Sequence, residues 1–515
     1  MTAGRSLSVL TALVVLAGCA TQGPYQRPVT NLPVAWTNAA STDGAKSPGD
    51  VNRPDWWVGL HDPAIDALVT AALSDNPTLD EAAARVDQAK AAFSIERAQR
   101  SPRVDLAASA ERARMPATGA QPSDTSTAWQ STAAIGSSLS WEIDLWGRVK
   151  QATLAARSRL QARNADAAEA RLSIAAQVSD NVLGLRACDL LLDVRDADIL
   201  SRQQELTIIR ARVRLGSVAP VDIAAAESNL AAVRIDRISQ EQVCRQTVDA
   251  LVALSGRAAA EVRSIMAGPL AADGRYAAVP TGELSAGMPS APPVIPGLPG
   301  TVLLAHPSVV AAEREVAARW SEIAVARAER LPRLDLTALL TGQWISALGS
   351  TASFVTGSIG AGASAPLIDG GAGQAEVVRA DARYREAVAT LNVTLRQAVR
   401  DIEDGLSAQD SAVRRVEASR SALSAARLTL RGNEARRRVG SIGAFELEDS
   451  RRQLNRAQES AIIAARDRAQ SWVELIRRSG SIADTDHVLG STTPASPASS
   501  DAGVRVANLG PAKRR

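Results

Sequence analysis

The sequence predicts a mainly α-helical chain with a smaller β part, built by internal duplication. Three observations carry that reading. Two very long stretches, 148–215 and 374–431, are free of Pro and hold one Gly each, Gly184 and Gly405. A pair of short segments of alternating polarity precedes each stretch. Distinctive motifs in the first half recur 224 to 230 residues further on.

At the N-terminus, Arg5 is followed by the apolar run 7–16 and then by Leu16-Ala17-Gly18-Cys19. That is a bacterial export signal, 1–18, ending in a lipobox. The Cys19 thiol is then the lipidation site and the first mature residue. After it, 19–64 reads as a lipid-anchored N-terminal segment. No later run of about 18 apolar residues occurs, so no transmembrane helix is predicted and any membrane-spanning part has to be β.

The first repeat is placed at 65–290 as a helix, two strands and a long helical hairpin. Its strands, 103–112 and 132–143, are split by a Pro/Gly/Ser/Thr loop at 115–128. Val104, Leu106 and Ala108 alternate with Asp105, Ala107 and Ser109; Ile135, Leu139 and Trp141 alternate with Ala134, Ser138 and Ser140. Segments of about ten such residues are the mark of transmembrane strands. Four strands per chain are too few to close a barrel, because the smallest needs about eight, so several copies have to share one.

A Pro/Gly linker at 291–300 leads to the second repeat, 301–479, with strands 333–344 and 354–368 around a loop at 346–353. Its long helix carries Val388, Leu391, Leu395, Val399, Ile402, Leu406, Val413, Val416, Leu423 and Leu430 at spacings of three, four and seven, a coiled-coil seam. Each long helix ends in a Gly turn, Leu215-Gly216-Ser217-Val218 or Val439-Gly440-Ser441-Ile442. A second helix of about 35 residues follows, closing an antiparallel hairpin. Residues 480–515 form a Ser/Pro/Ala tail predicted to be disordered.

The charges nearly cancel, 58 basic against 55 acidic, without a basic patch for nucleic acid. Three His and three Cys are widely scattered, which argues against a metal site. Asp369-Gly370-Gly371-Ala372-Gly373 lacks the Lys of a phosphate loop. With no nucleophile elbow either, no catalytic residue and no cofactor beyond the Cys19 lipid is assigned. Cys188 and Cys244 lie about 28 residues either side of the Gly216 turn, level with each other in the hairpin. Export permits their pairing as a disulfide; two facing buried thiols are the alternative.

Several ordered motifs resemble the outer membrane factor, or TolC-like, family, specifically its NodT-type lipoproteins serving resistance-nodulation-division pumps. They are Gly23-Pro24-Tyr25-Gln26-Arg27-Pro28, Trp56-Trp57 with Asp62-Pro63, Asn76-Pro77, Trp141-Glu142-Ile143-Asp144-Leu145-Trp146-Gly147-Arg148, and Pro366-Leu367-Ile368-Asp369-Gly370-Gly371. The sequence departs from the family at His306-Pro307-Ser308, where Arg-Pro-Asp is usual, and in an aromatic content of 3%. The resemblance implies a homotrimer in the outer membrane, with a twelve-stranded β-barrel continuing into a periplasmic α-barrel. It implies a periplasmic adaptor and an inner-membrane transporter as partners, with export of small solutes or drugs. A periplasmic adaptor or scaffold lipoprotein is a rival reading, although an adaptor carries one hairpin and this chain has two. A channel for type I protein secretion is another.

The resemblance also implies a periplasmic gate just past the second turn. Phe445 and Asp449 match an apolar and an acidic constriction ring, and Arg452 a basic residue that holds the tip shut. Glu446 matches a further acidic position, with Asp222 its counterpart in the first repeat. Phe445, Asp449 and Arg452 share one helix stripe.

Overall fold

The computed structural model describes residues 22–30, 32–38, 55–116, 127–272, 288–289, 291–292, 299–347 and 350–480. Cys19, the export signal and the tail beyond 480 lie outside the described residues. In the first half, a 3-10 turn (Trp56–Leu60) leads to α1 (Pro63–Asp75), α2 (Pro77–Ala98), β1 (Arg103–Pro116), β2 (Thr127–Ile143), α3 (Arg148–Arg214), α4 (Val221–Ser255) and α5 (Ala259–Ala272). The second half repeats the order with α6 (Pro299–Ala305), α7 (Pro307–Ala328), β3 (Arg333–Ala347), β4 (Ser350–Ser364), α8 (Ala372–Arg438) and α9 (Ala444–Ser479).

The helix starts follow from local chemistry. Pro63, Pro77 and Pro307 stand at the first helical position, where a missing N–H is harmless. Asp62 and Asn76 accept from the Ala64 and Thr78 N–H groups at 2.9 Å. His306 does not cap its helix in this way. It is buried, shares a 2.8 Å hydrogen bond between Nδ1 and Ser308 Oγ, and is held below the usual imidazole range by burial.

Both long helices are 67 residues, about 100 Å each. The second continues to Arg438 rather than stopping at 431. Gly432 does not break it: one mid-helix Gly costs only about 1 kcal/mol against Ala. Other boundaries differ from the sequence reading as well. The first repeat begins with two helices rather than one, α1 starts at Pro63, and α5 follows the hairpin. Pro299 and Gly300, read as linker, open α6. Residues 346, 347 and 350–353, read as loop, are strand, because β3 and β4 stay paired up to Ala347 opposite Ser350. β4 ends at Ser364 instead of 368, just ahead of Pro366, which has no N–H for the ladder.

The sheet order is β1-β2-β3-β4, antiparallel throughout, with β1 and β4 at its edges. The register sorts its two faces by polarity. One carries Val104, Leu139, Ala338 and Ile359 in a row, then Ala108, Ile135, Gly342 and Val355, with Trp141 and Trp344 toward its two ends. The other carries Asp105, Ser138, Leu339 and Ser358, then Ala107, Gly136, Thr341 and Thr356. Val104, Leu106, Ile135, Val355 and Ile359 are all exposed. A sheet apolar on one side and polar on the other suits a wall between lipid and water.

Below the sheet the halves pack together. One core joins Ile65 and Leu68 of α1, Leu183 of α3, Leu251 of α4, Val262 of α5 and Trp472 of α9. At its edge Arg186 grips Asp62 through two bonds of 2.5 and 2.6 Å, both side chains about 95% buried. A second core gathers Leu391, Leu395, Ile402 and Leu406 of the α8 seam with Leu303 and Val309. Val413, assigned to the same seam, is 44% exposed, whereas Val416 and Leu423 further down the helix are buried. Residues 22–30 and 32–38 are strapped along α7 and α8: Trp320 Nε1 donates to Gly23 O, Tyr25 Oη to Glu313, and the Thr37 and Asn38 N–H groups to Glu403.

Candidate functional site

The far ends of the two hairpins are built alike. Gly216 and Gly440 both take positive φ, 70° and 74°, the left-handed conformation that ends a helix. Ser217 and Ser441 then donate from both N–H and Oγ to the carbonyls of Arg212 and Arg436. These bonds satisfy last-turn acceptors and reverse the chain. Beyond the second turn, the Glu446 carboxylate accepts from Gly443 N–H at 3.1 Å and starts α9. Glu446 is thereby turned back toward its own cap. Asp222 occupies the matching first turn of α4.

Phe445, Asp449 and Arg452 meet. Arg452 Nη2 lies 3.0 Å from Asp449 Oδ1, and its guanidinium carbon lies 5.7 Å from the Phe445 ring centre. Phe445 and Asp449 remain partly exposed, whereas Arg452 is buried. Gln453 holds the other Asp449 oxygen at 2.7 Å. The acidic group is therefore fixed in place while still facing outward. Among the described residues, Asp222 and Glu446 make no side-chain bond to this trio.

What buries Arg452 is the seam between the hairpins. Its Nη1 reaches Glu205 Oε2 on α3 at 3.1 Å, and Arg202 reaches the same oxygen at 3.1 Å. One turn away, Glu448 takes a 2.7 Å bond from Ser201 and a 2.8 Å bond from Arg451, which also reaches Gln204 at 2.8 Å. Arg195 and Glu459 close the network at 2.5 Å. Sequence reasoning missed Ser201, Glu205 and Glu448. A signal was present on α3, where the buried positions Cys188, Leu191 and Val194 pass into Ser201 and Glu205 along one stripe. Polar residues at core positions of an apolar stripe mark a buried network.

Further up the first hairpin, the Cys188 and Cys244 sulfurs are bonded, with Cα atoms 5.7 Å apart. The corresponding positions of the second hairpin, 224 residues on, are Ala412 and Arg468, so only the first hairpin is cross-linked. At the strand-to-helix junctions, Asp369 accepts from Gly371 and Gly373 N–H, both at 2.8 Å. Those bonds hold its carboxyl below the usual range. Asp144 likewise accepts from the Val149 and Lys150 N–H groups at 3.1 and 2.8 Å. The Gly-rich junction is thus a self-capped helix start rather than a phosphate cradle. Among the described residues, no helix is long and apolar enough to cross a membrane.

Comparison with known proteins agrees with this architecture. The family model described as outer membrane efflux protein matches residues 68–257 and 298–481. Outer membrane protein OprJ of Pseudomonas aeruginosa is 26% identical over 493 residues, spanning 92% of this chain and 95% of its own. The pyoverdine export outer membrane protein OpmQ of Pseudomonas putida is 26% identical, spanning 93% and 98%. Among solved structures, the outer-membrane channel OprN superposes with a TM-score of 0.73 at 22% identity, over 89% of this chain and 99% of that one. The CmeC outer membrane channel of Campylobacter jejuni gives 0.73 at 20% identity, over 90% and 95%. These two share its fold. With the family model matched over most of its length, the chain belongs to the outer membrane efflux protein family.

Proposed function

We propose that the protein works as a lipid-anchored homotrimer, a passive conduit that carries small solutes from the periplasm to the exterior. The observation that carries the reading is the two-faced four-stranded sheet with both edges open, continuing directly into helices of 67 residues. An open edge in lipid leaves N–H and C=O groups without partners, so the wall has to close on itself. Three copies supply twelve strands and a helical tube about 100 Å long below them. The tube reaches far enough to meet a periplasmic adaptor and, through it, an inner-membrane resistance-nodulation-division transporter. Nothing in the conduit is assigned a chemical step.

The lower end is the gate. Three copies of Phe445 and Asp449 line the constriction, Arg452 holds each Asp449 from behind, and Glu446 and Asp222 flank the opening. Cys19 carries the lipid, and the Cys188–Cys244 bond belongs to the mature exported form. The test is single-channel conductance of purified trimers in a planar bilayer. A small, cation-preferring basal conductance is the expected result. Trimers that insert but never conduct, including after loosening of the Arg452 seam, exclude a conduit.

A further inference from the structure

The apolar face of the sheet does not end at its aromatic residues. Trp141 and the row of Trp344 are eight residues apart along β2, since Trp344 pairs with Ala133. That is about 27 Å of strand, or about 20 Å of membrane depth at a tilt of about 40°. The two tryptophans therefore stand near the two borders of the hydrocarbon layer, a thin girdle despite the 3% aromatic content. At the end away from the helices, the same face continues into different chemistry. The next row is Arg112, Ser131, Ser346 and Thr351, in register across all four strands. One step beyond, Arg114 pairs with Trp129.

These rows lie about 5 and about 10 Å past the girdle by the same geometry, at the depth of headgroups rather than acyl chains. Arg112, Arg114 and Trp129 are exposed. The Arg112 guanidinium carbon sits 5.2 Å from the Trp129 ring centre, which steadies it without using its N–H fork. Thr351 Oγ1 lies 3.4 Å from Ser346 Oγ. Two guanidinium groups and three hydroxyls thus share one membrane-facing rim. On the opposite, polar face at this level the charge is acidic, Glu111 opposite Thr132. At this level the described strands carry their cations on the lipid side only.

Resting on the barrel reading above, we propose that this rim is a binding site for the phosphates of a phosphorylated glycolipid headgroup in the outer leaflet. A planar guanidinium matches phosphate oxygens two at a time, and the hydroxyls of the row supply further donors at the same depth. The arginines are spaced two residues apart on one strand, about 7 Å, so they can engage two phosphates of one headgroup. The hydrocarbon-facing rows directly below would then pack against that lipid's own chains.

The test uses full-length trimers in phosphatidylcholine vesicles containing either diphosphorylated or dephosphorylated lipid A. After mild detergent extraction, retained lipid A is counted by mass spectrometry, and conductance is recorded on the same preparations. Retention of the diphosphorylated form is expected to exceed that of the dephosphorylated form by about tenfold or more, the worth of one or two charge-assisted bonds. In Arg112→Gln/Arg114→Gln trimers that preference should vanish while conductance stays unchanged. Ser346→Ala/Thr351→Val, a milder change, should reduce it partially, and inorganic phosphate at the lipid's concentration should not compete. Equal retention of the two lipids, or full preference in the arginine variant, overturns the site and leaves the channel reading standing. Failure of wild-type trimers to insert or conduct overturns both.

Discussion

Arg452 on the second hairpin and Glu205 on the first form an ion pair of 3.1 Å in which the two side chains are only 7% and 8% exposed. Removing one partner of a buried pair costs about 3 to 5 kcal/mol, here less, because Arg202 also reaches Glu205 at 3.1 Å. Arg452 in addition holds Asp449. Arg452→Ser should therefore loosen the seam and free three crowded carboxylates to repel one another, raising basal conductance. Asp449→Ala should instead weaken cation preference. Single-channel recording reads both, and the gate assignment fails if neither conductance nor selectivity changes.

The Cys188–Cys244 bond closes a 56-residue separation halfway along the first hairpin. Such a bond contributes roughly 2 to 4 kcal/mol. Labelling of the denatured, unreduced protein with a thiol reagent should find neither cysteine. Cys188→Ser/Cys244→Ser should lower the melting temperature while trimers still form. Two labelled thiols in the unreduced protein would remove the pairing.

The helices, turns and duplication were legible because each rests on short-range chemistry. Period and turn residues at Gly216 and Gly440 suffice to draw a hairpin. The two-faced strands were legible for the same reason, since alternation is local, although their ends were not. Ala347 and Ser350 are strand because their partners continue, which no local signal at those residues expresses. Phe445, Asp449 and Arg452, proposed above for the gate, were singled out by resemblance and by their shared stripe, and the structure brings the three side chains together. Their burial partner Glu205 stands 247 positions earlier in the chain, and only the packing of α3 on α9 brings it there. The same holds for Asp62 and Arg186, 124 positions apart.

That buried pair makes a strong stability prediction. Arg186→Met leaves the Asp62 carboxylate enclosed with, among the described residues, only the Ala64 N–H donating to it, and should cost about 3 to 5 kcal/mol. Asp62→Asn keeps an acceptor for both Ala64 and Arg186 and should cost less. Comparing their melting temperatures checks the order; equal losses would mean that enclosing an unpaired carboxylate costs no more than replacing it with an amide.

Cys19→Ala should weaken sorting to the outer membrane but leave trimers able to form. Barrel closure satisfies every strand edge, whereas one acyl anchor contributes only reversible membrane affinity. Native electrophoresis of the variant checks this, and a folded protein found only as monomers contradicts it.

Asp180 gives a pH dependence with a definite sign. Its Oδ1 is buried without a hydrogen-bond partner among the described residues. Burial, with Glu474 adding and Arg477 opposing, pushes its carboxyl from an ordinary 3.8 up to about 7. Arg477 offers little relief because Glu474 already holds it at 2.6 and 2.7 Å. The folded-state value lies above the unfolded one, so between about pH 4 and about pH 7 the folded protein binds more protons than the unfolded chain. This residue's contribution is therefore most favourable below that window, is lost as pH rises through about 7, and stays lost above it. Glu169 and Asp189, also raised by burial, act in the same direction. Asp180→Asn removes the ionisation while keeping the shape. It should raise the melting temperature clearly at pH 8 and hardly at all at pH 4. An equal shift at both pH values would mean that the effect is packing, and that Asp180 is not the group titrating.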